Sequence, residues 1–154
     1  MVNEKFNVKV AGTDTFIVCK KFNAFDCLTF INFIINLLPN DVEFPLTKKG
    51  ASAIIMNIMD VGSSIKLSSE EKDGLKNMSV DDYFGMMFKY AFLNASNENQ
   101  TLITDKLLVL YTYNNNSIDV TTANLIFPTA QILFSALLHA FRYNYNDFFI
   151  IGER

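Results

Sequence analysis

The chain is predicted to be an α+β domain, mainly α-helical, with an N-terminal β-hairpin and a second hairpin before the C-terminal helix. Three observations predict this. Phe6, Val8 and Val10 alternate with Asn7 and Lys9, which is the period of a half-buried strand. Residues 24–38 and 80–93 repeat apolar side chains at helical spacing. Pro128 then opens "PTAQILFSALLHAFRY", the clearest amphipathic helix of the C-terminal part. At 154 residues, a single domain spanning 1–154 is expected, large enough to bury a core without disulfide or metal staples.

After Val10, "AGTD" supplies turn residues and "TFIVCK" resumes a strand. A lone hairpin is marginal in water, so this one must lie on helices or join another sheet. Asn23 offers an N-cap, with Asp26 three positions on, and Pro39 stops the helix from beyond its last turn; the helix is expected over 24–38. Thr29, Asn32 and Asn36 share one narrow polar sector. The apolar residues around them sweep roughly 220°, against the 100° or so that covers one core face. Such a helix is either wrapped by its own domain or shared with a partner. A membrane span does not fit, because about 22 Å of helix is short of the ~30 Å hydrocarbon layer. The expected division places Ile31, Ile34, Ile35 and Leu38 in the core and offers Phe30, Phe33 and Leu37 to a partner.

Thr47 begins a second helical pattern through Ala51, Ile54, Ile55, Ile58 and Met59, stopped by "VGSS". Ser68 with Glu71, and Ser79 with Asp82, have capping-box spacing, predicting a short charged helix over about 69–76 and an apolar one over 80–93. The latter carries Val80, Phe84, Met87, Phe88 and Ala91 on one face. Tyr83, Met86, Tyr90 and Leu93 form a second, which makes Tyr83, Met86 and Tyr90 further interface candidates. "NASNENQ", 94–100, reads as a polar loop and a flexible joint. In "KLLVLYTYNNNSIDVTT" two strands around the Asn triplet are favoured, with a short helix at 102–110 left open. Pro128 is expected at the first position of the last helix, with Gln131, Ser135, His139 and Arg142 on its polar stripe. The terminal "NYNDFFIIGER" is too apolar for a free tail and is expected to dock.

Half of the residues are hydrophobic while 19% are charged, below the roughly 25% of an average domain, so apolar surface is available for partners and self-association is expected. A net charge of -3 argues against a nucleic-acid partner, whose phosphates demand Lys and Arg. No membrane partner is expected either. "MVNEKFNVKV" does not read as a secretory signal, so a cytoplasmic location is expected. Cys19 and Cys27 lack CxxC spacing and read as reduced thiols. His139, the only histidine, has no carboxylate one turn away and reads as a surface residue; phosphate-loop, dinucleotide and nucleophile-elbow patterns are absent. No catalytic residue, cofactor or metal site is therefore expected.

The order of elements carries a resemblance. "FNVKVAGTDTFIVCKKF" runs into "NAFDCLTFINFIINLL", and later "LSSEEKDGLKNMSVDDYFGMMFKYAFLNAS" steps through a short charged helix into an apolar one. This pattern, over residues 4–96, resembles that of the tail assembly chaperones of long-tailed bacteriophages and of related small baseplate hub proteins. The resemblance implies a non-catalytic binding protein that associates with itself, with the tape measure protein and with tail tube subunits. Two other readings are a structural subunit retained in a phage tail or baseplate, and a small-ligand-binding module with an apolar pocket.

Overall fold

The computed structural model describes residues 4–39, 46–52, 69–70 and 80–145. Within them the chain is α+β and mainly helical. Strands β1 (Lys5–Val10) and β2 (Thr13–Cys19) form the expected hairpin, and β3 (Tyr111–Tyr113) and β4 (Asn116–Ser117) form the second one. Positive φ at Ala11 and Gly12, and at Asn114 and Asn115, closes both turns, which is why small or Asn residues stand there. Val18 pairs with Thr112 and Cys19 with Tyr111, so the hairpins join into one antiparallel sheet of order β1-β2-β3-β4. The marginal stability of a lone hairpin is relieved in both ways the sequence allows: by this pairing, and by helices beneath the sheet.

The helices are α1 (Ala24–Asn36), α2 (Val80–Asn94), α3 (Asn97–Leu108), α4 (Val120–Ile126) and α5 (Ala130–Tyr145). Residues 48–52 are also helical, opened by the Thr47 hydroxyl accepting from the Gly50 N–H at 3.1 Å. The remainder of that pattern, most of the helix expected over 69–76, and the terminal apolar run past Tyr145 lie outside the described residues. Helix α5 is central. Its Phe141 ring lies 5.0 Å from Phe88, 6.0 Å from Phe84 and 6.4 Å from Phe30, joining α2 and α1 to one aromatic core. Ala136 and Ala140 are fully buried and let the sheet approach, so that the Tyr111 hydroxyl donates to the Ala136 carbonyl. Gly85 of α2 is buried where a Cβ would collide with the Arg142 guanidinium. His139 therefore leaves the expected surface position: half-buried, its ring is 5.5 Å from Phe6 and 6.5 Å from both Tyr111 and Tyr143, because that side of α5 meets the sheet.

Three further expectations are corrected. Residues 94–100 are not a loop throughout: Asn94 ends α2, only Ala95 and Ser96 intervene, and Ser96 caps α3 by accepting from the Asn99 N–H at 3.2 Å. Two side chains brace this corner, Asn94 donating to the Leu37 carbonyl at 2.8 Å and Gln100 to the Phe92 carbonyl at 2.9 Å. Polar composition there marks a cap and a solvated first turn. Residues after Ser117 turn into α4, capped by Asp119, whose carboxylate accepts from Thr122 N–H at 2.7 Å and is held below its usual range by that bond. Pro128 precedes the N-cap of α5, which is Thr129, accepting from Ile132 N–H at 3.2 Å. Among the described residues no single helix is long and apolar enough to cross a membrane; α4 and α5 meet that test only as a pair bent by 105°.

The chain's two halves meet at Asn144, 5% exposed in the last turn of α5. Its carbonyl oxygen accepts the Phe22 N–H at 2.7 Å, and its amide donates to the carbonyls of Ala140 at 2.9 Å and Lys20 at 3.5 Å. Next to it the Tyr145 hydroxyl donates to the Cys27 carbonyl at 2.8 Å.

Two predictions follow from this core. Asn144→Leu keeps the volume but leaves the Phe22 N–H without its acceptor, and is expected to lower unfolding free energy by about 1–3 kcal/mol. Urea titration checks this, with Asn116→Ala on the exposed β4 changing stability by no more than about 0.5 kcal/mol. The second concerns alkali. Burial, helped by Glu4, pushes the Cys19 thiol up to about 12, and burial raises the phenols of Tyr83, Tyr111 and Tyr145. Raised folded values mean that the stabilisation is complete below the unfolded values, about 8.5 for Cys and about 10 for Tyr. It is lost as pH climbs towards the folded ones. Melting temperature should hold from neutral pH to about 8, fall above about 8.5 and fall more steeply above about 10, each group adding about 1.4 kcal/mol per pH unit. A melting series across that range would refute the account if it stayed flat.

Candidate protein-binding surface

A groove of about 410 Å3 lies between the start of α1 and the end of α3. Its α1 side is built by capping. Asn23 accepts from the Asp26 N–H and donates to the Asp26 carboxylate, both at 2.8 Å, so the Asp26 charge is spent on its own helix start. Phe22, anchored through its N–H to Asn144, sets its ring 5.1 Å from Phe30, which in turn lies 6.4 Å from Phe33. These rings form an apolar wall continuous with the core through Phe141.

The opposite wall comes from α3. Ile103 and Leu107 are fully buried, which turns Leu102 and Lys106 outward. Leu102 is 41% exposed, and Val109, at the C-cap, is 73% exposed. Lys20 N–H donates to the Leu110 carbonyl at 2.8 Å and fixes the two walls to each other. Lys21 and Lys106 stand on the rim, the ammonium of Lys21 also lying 5.0 Å from the Tyr143 ring.

The residues expected to meet a partner do not fall together. Phe33 is half-buried and lines the groove; Leu37, also half-buried, sits at the C-cap of α1. Phe30 is only 5% exposed, because Phe22 covers it from the preceding loop and Phe141 from α5, so it is floor and core together. Tyr83 is removed from the surface altogether: at 1% exposure it packs beside Phe84 on the buried side of α2. Met86 and Tyr90 remain exposed, at 36% and 40%, and with Leu93 at 65% they make a second stripe at i, i+4, i+7 along α2. That stripe does not line the groove. The expected core set of α1, Ile31, Ile34, Ile35 and Leu38, is buried throughout.

Sequence reasoning missed Phe22, Leu102 and Val109. For Leu102 and Val109 the signal is Ser96 as a cap, followed by Ile103 and Leu107 one turn apart, and the polar composition of 94–100 conceals it. Both thiols are held protonated, Cys19 at about 12 and Cys27 raised by burial. Among the described residues no three His, Cys, Asp or Glu side chains gather as a metal site. Comparison of the chain with protein-family models, curated proteins and solved structures returns no match.

Proposed function

We propose that the protein works by binding other protein chains, without catalysis, during assembly of a particle, and most concretely as a phage tail assembly chaperone that holds apolar helical segments of a tape measure protein. The observation that carries this reading is the α1–α3 groove, where Phe33, Leu102 and Val109 present apolar surface beside a fixed aromatic floor. An amphipathic helix binds such a groove by inserting anchors spaced at i, i+3 or i+4 and i+7. The raised thiols favour binding over catalysis, since neither is poised as a nucleophile at neutral pH. Self-association is assigned to the Met86-Tyr90-Leu93 stripe.

The test is titration of the purified protein with a synthetic amphipathic helix that carries apolar anchors at i, i+3 and i+7. Val109→Asp combined with Leu102→Ser is expected to weaken capture at least roughly tenfold, about 1.4 kcal/mol, with melting temperature nearly unchanged. Ile34→Ala, in the core, should instead cost about 2–5 kcal/mol of stability. Unaltered capture by the double variant sinks the groove as the binding surface. Retention of the protein in purified particles would identify a structural subunit in place of a chaperone.

A further inference from the structure

A separate surface lies at the other side of the sheet. The Cys19 N–H donates to the Glu4 carbonyl at 2.8 Å, which makes Glu4 and Cys19 a hydrogen-bonded pair of the antiparallel ladder. Alternation then makes Phe6–Ile17, Val8–Thr15 and Val10–Thr13 bonded pairs. The backbone N–H and C=O groups of Asn7 and Lys9 therefore point away from β2. Since β1 is the first strand of the sheet order, they face the open edge, and no backbone bond reaches them there among the described residues.

Beside this edge runs a groove of about 560 Å3. It touches four consecutive residues, Phe6 to Lys9, whose side chains alternate between the two faces of the sheet, so it must follow the strand's edge. Its far wall is the junction of α4 and α5, with Pro128 and Ile132 as apolar contacts. We propose that the outer edge of β1, with this groove, is a strand-addition site for an extended segment of another protein in which acidic and apolar residues alternate.

Charge selects that occupant. Lys5 and Lys9 are both exposed on the outer face of β1, on either side of Asn7. A second copy pairing antiparallel with full overlap about Asn7 would set Lys5 against Lys9 and Lys9 against Lys5. Like charges directly opposite destabilise a strand pair, so the lysines guard the edge against self-pairing. The same two positions reward acids in an incoming strand. Alternation directs its other side chains to the inner side, towards Ile132 and Pro128. This site shares no lining residue with the α1–α3 groove and does not depend on the chaperone reading.

The probe is a synthetic peptide of about six residues alternating glutamate and valine, long enough to span β1. Amide hydrogen exchange by NMR is expected to slow at Asn7 and Lys9 on peptide addition, while Val8, already bonded to β2, changes little. A matched lysine–valine peptide should bind roughly tenfold more weakly, since each lysine contact turns from attractive to repulsive. Asn7→Pro removes an N–H that the β1–β2 ladder does not use and should abolish binding with the melting temperature held. If that variant melts early, the glutamate–valine peptide carrying N-methyl groups on alternate amides replaces it, and must fail to protect Asn7 and Lys9. Absence of protection at those two amides, equal binding of the lysine peptide, or protection that rises with protein concentration alone would each overturn the proposal.

Discussion

The fold turns on one buried amide. Asn144 stands where the chain leaves β2 and enters α1, and it bonds both sides of that passage from the far end of the sequence. The Lys20–Asn23 segment has no secondary structure of its own, so its backbone groups need partners from elsewhere. Asn144 supplies two, Leu110 a third through Lys20 N–H, and Asn23 is left free to cap α1. A donor and an acceptor in one side chain fix the segment more narrowly than any apolar contact would. Phe22, and with it one wall of the α1–α3 groove, takes its position from this arrangement. A wall held in place before binding costs a partner less ordering entropy than a mobile one.

Around that clasp the packing is aromatic and centred on α5. Phe141 meets Phe30, Phe84, Phe88 and Tyr145, the last at 4.8 Å. Tilted and edge contacts of this kind add roughly 0.5–1.5 kcal/mol per pair beyond the area buried. The complementary choice is small residues on the side of α5 that meets the sheet. Ala136 and Ala140 bring the backbone close enough for Tyr111 to reach a carbonyl, so its buried phenol is satisfied and its proton is retained. Large rings towards α2 and alanines towards the sheet thus seat α5 between the two, with a groove left between β1 and the α4–α5 junction.

How much of this was legible follows from which features are local. Turn residues, helix caps and apolar spacing are local, and they located the first hairpin, α1, α2 and the turn around Asn114 and Asn115 correctly. The core residues Ile31, Ile34, Ile35 and Leu38 followed from the same spacing. Phe30 and Tyr83 did not, because each lies at the margin of an apolar arc, where burial depends on which neighbour arrives. Phe141 and Phe22 reach Phe30 from distant positions, and nothing in the segment 24–38 announces them. The span 94–100 misled for a different reason. Ser, Asn and Gln suit a loop and a helix start equally, and the decision rests on Ile103 and Leu107, which lie beyond the polar run.

Exposed apolar residues alone decide little, since much of any protein surface is apolar. Phe25, Val120 and Leu125 are exposed and line neither groove. Val109 differs. A β-branched residue at a helix C-cap gains nothing from helix propensity, and at 73% exposure it gains little from burial. It nevertheless shares one concavity with Phe22, Phe33 and Leu102, where a docked side chain would cover all four. The lysines show the same logic in charge. In a chain of net charge -3, Lys21 and Lys106 border one groove, and Lys9 borders the other. Asp26, which lines the first groove, is engaged by Asn23, and Asp14, which lines the second, lies 3.8 Å from Lys9 in an exposed pair that an incoming acid can replace at little cost. The first concavity thus sets two lysines against one engaged carboxylate around an apolar interior, which favours apolar segments bearing acidic flanks over polyanions that offer charge without apolar anchors.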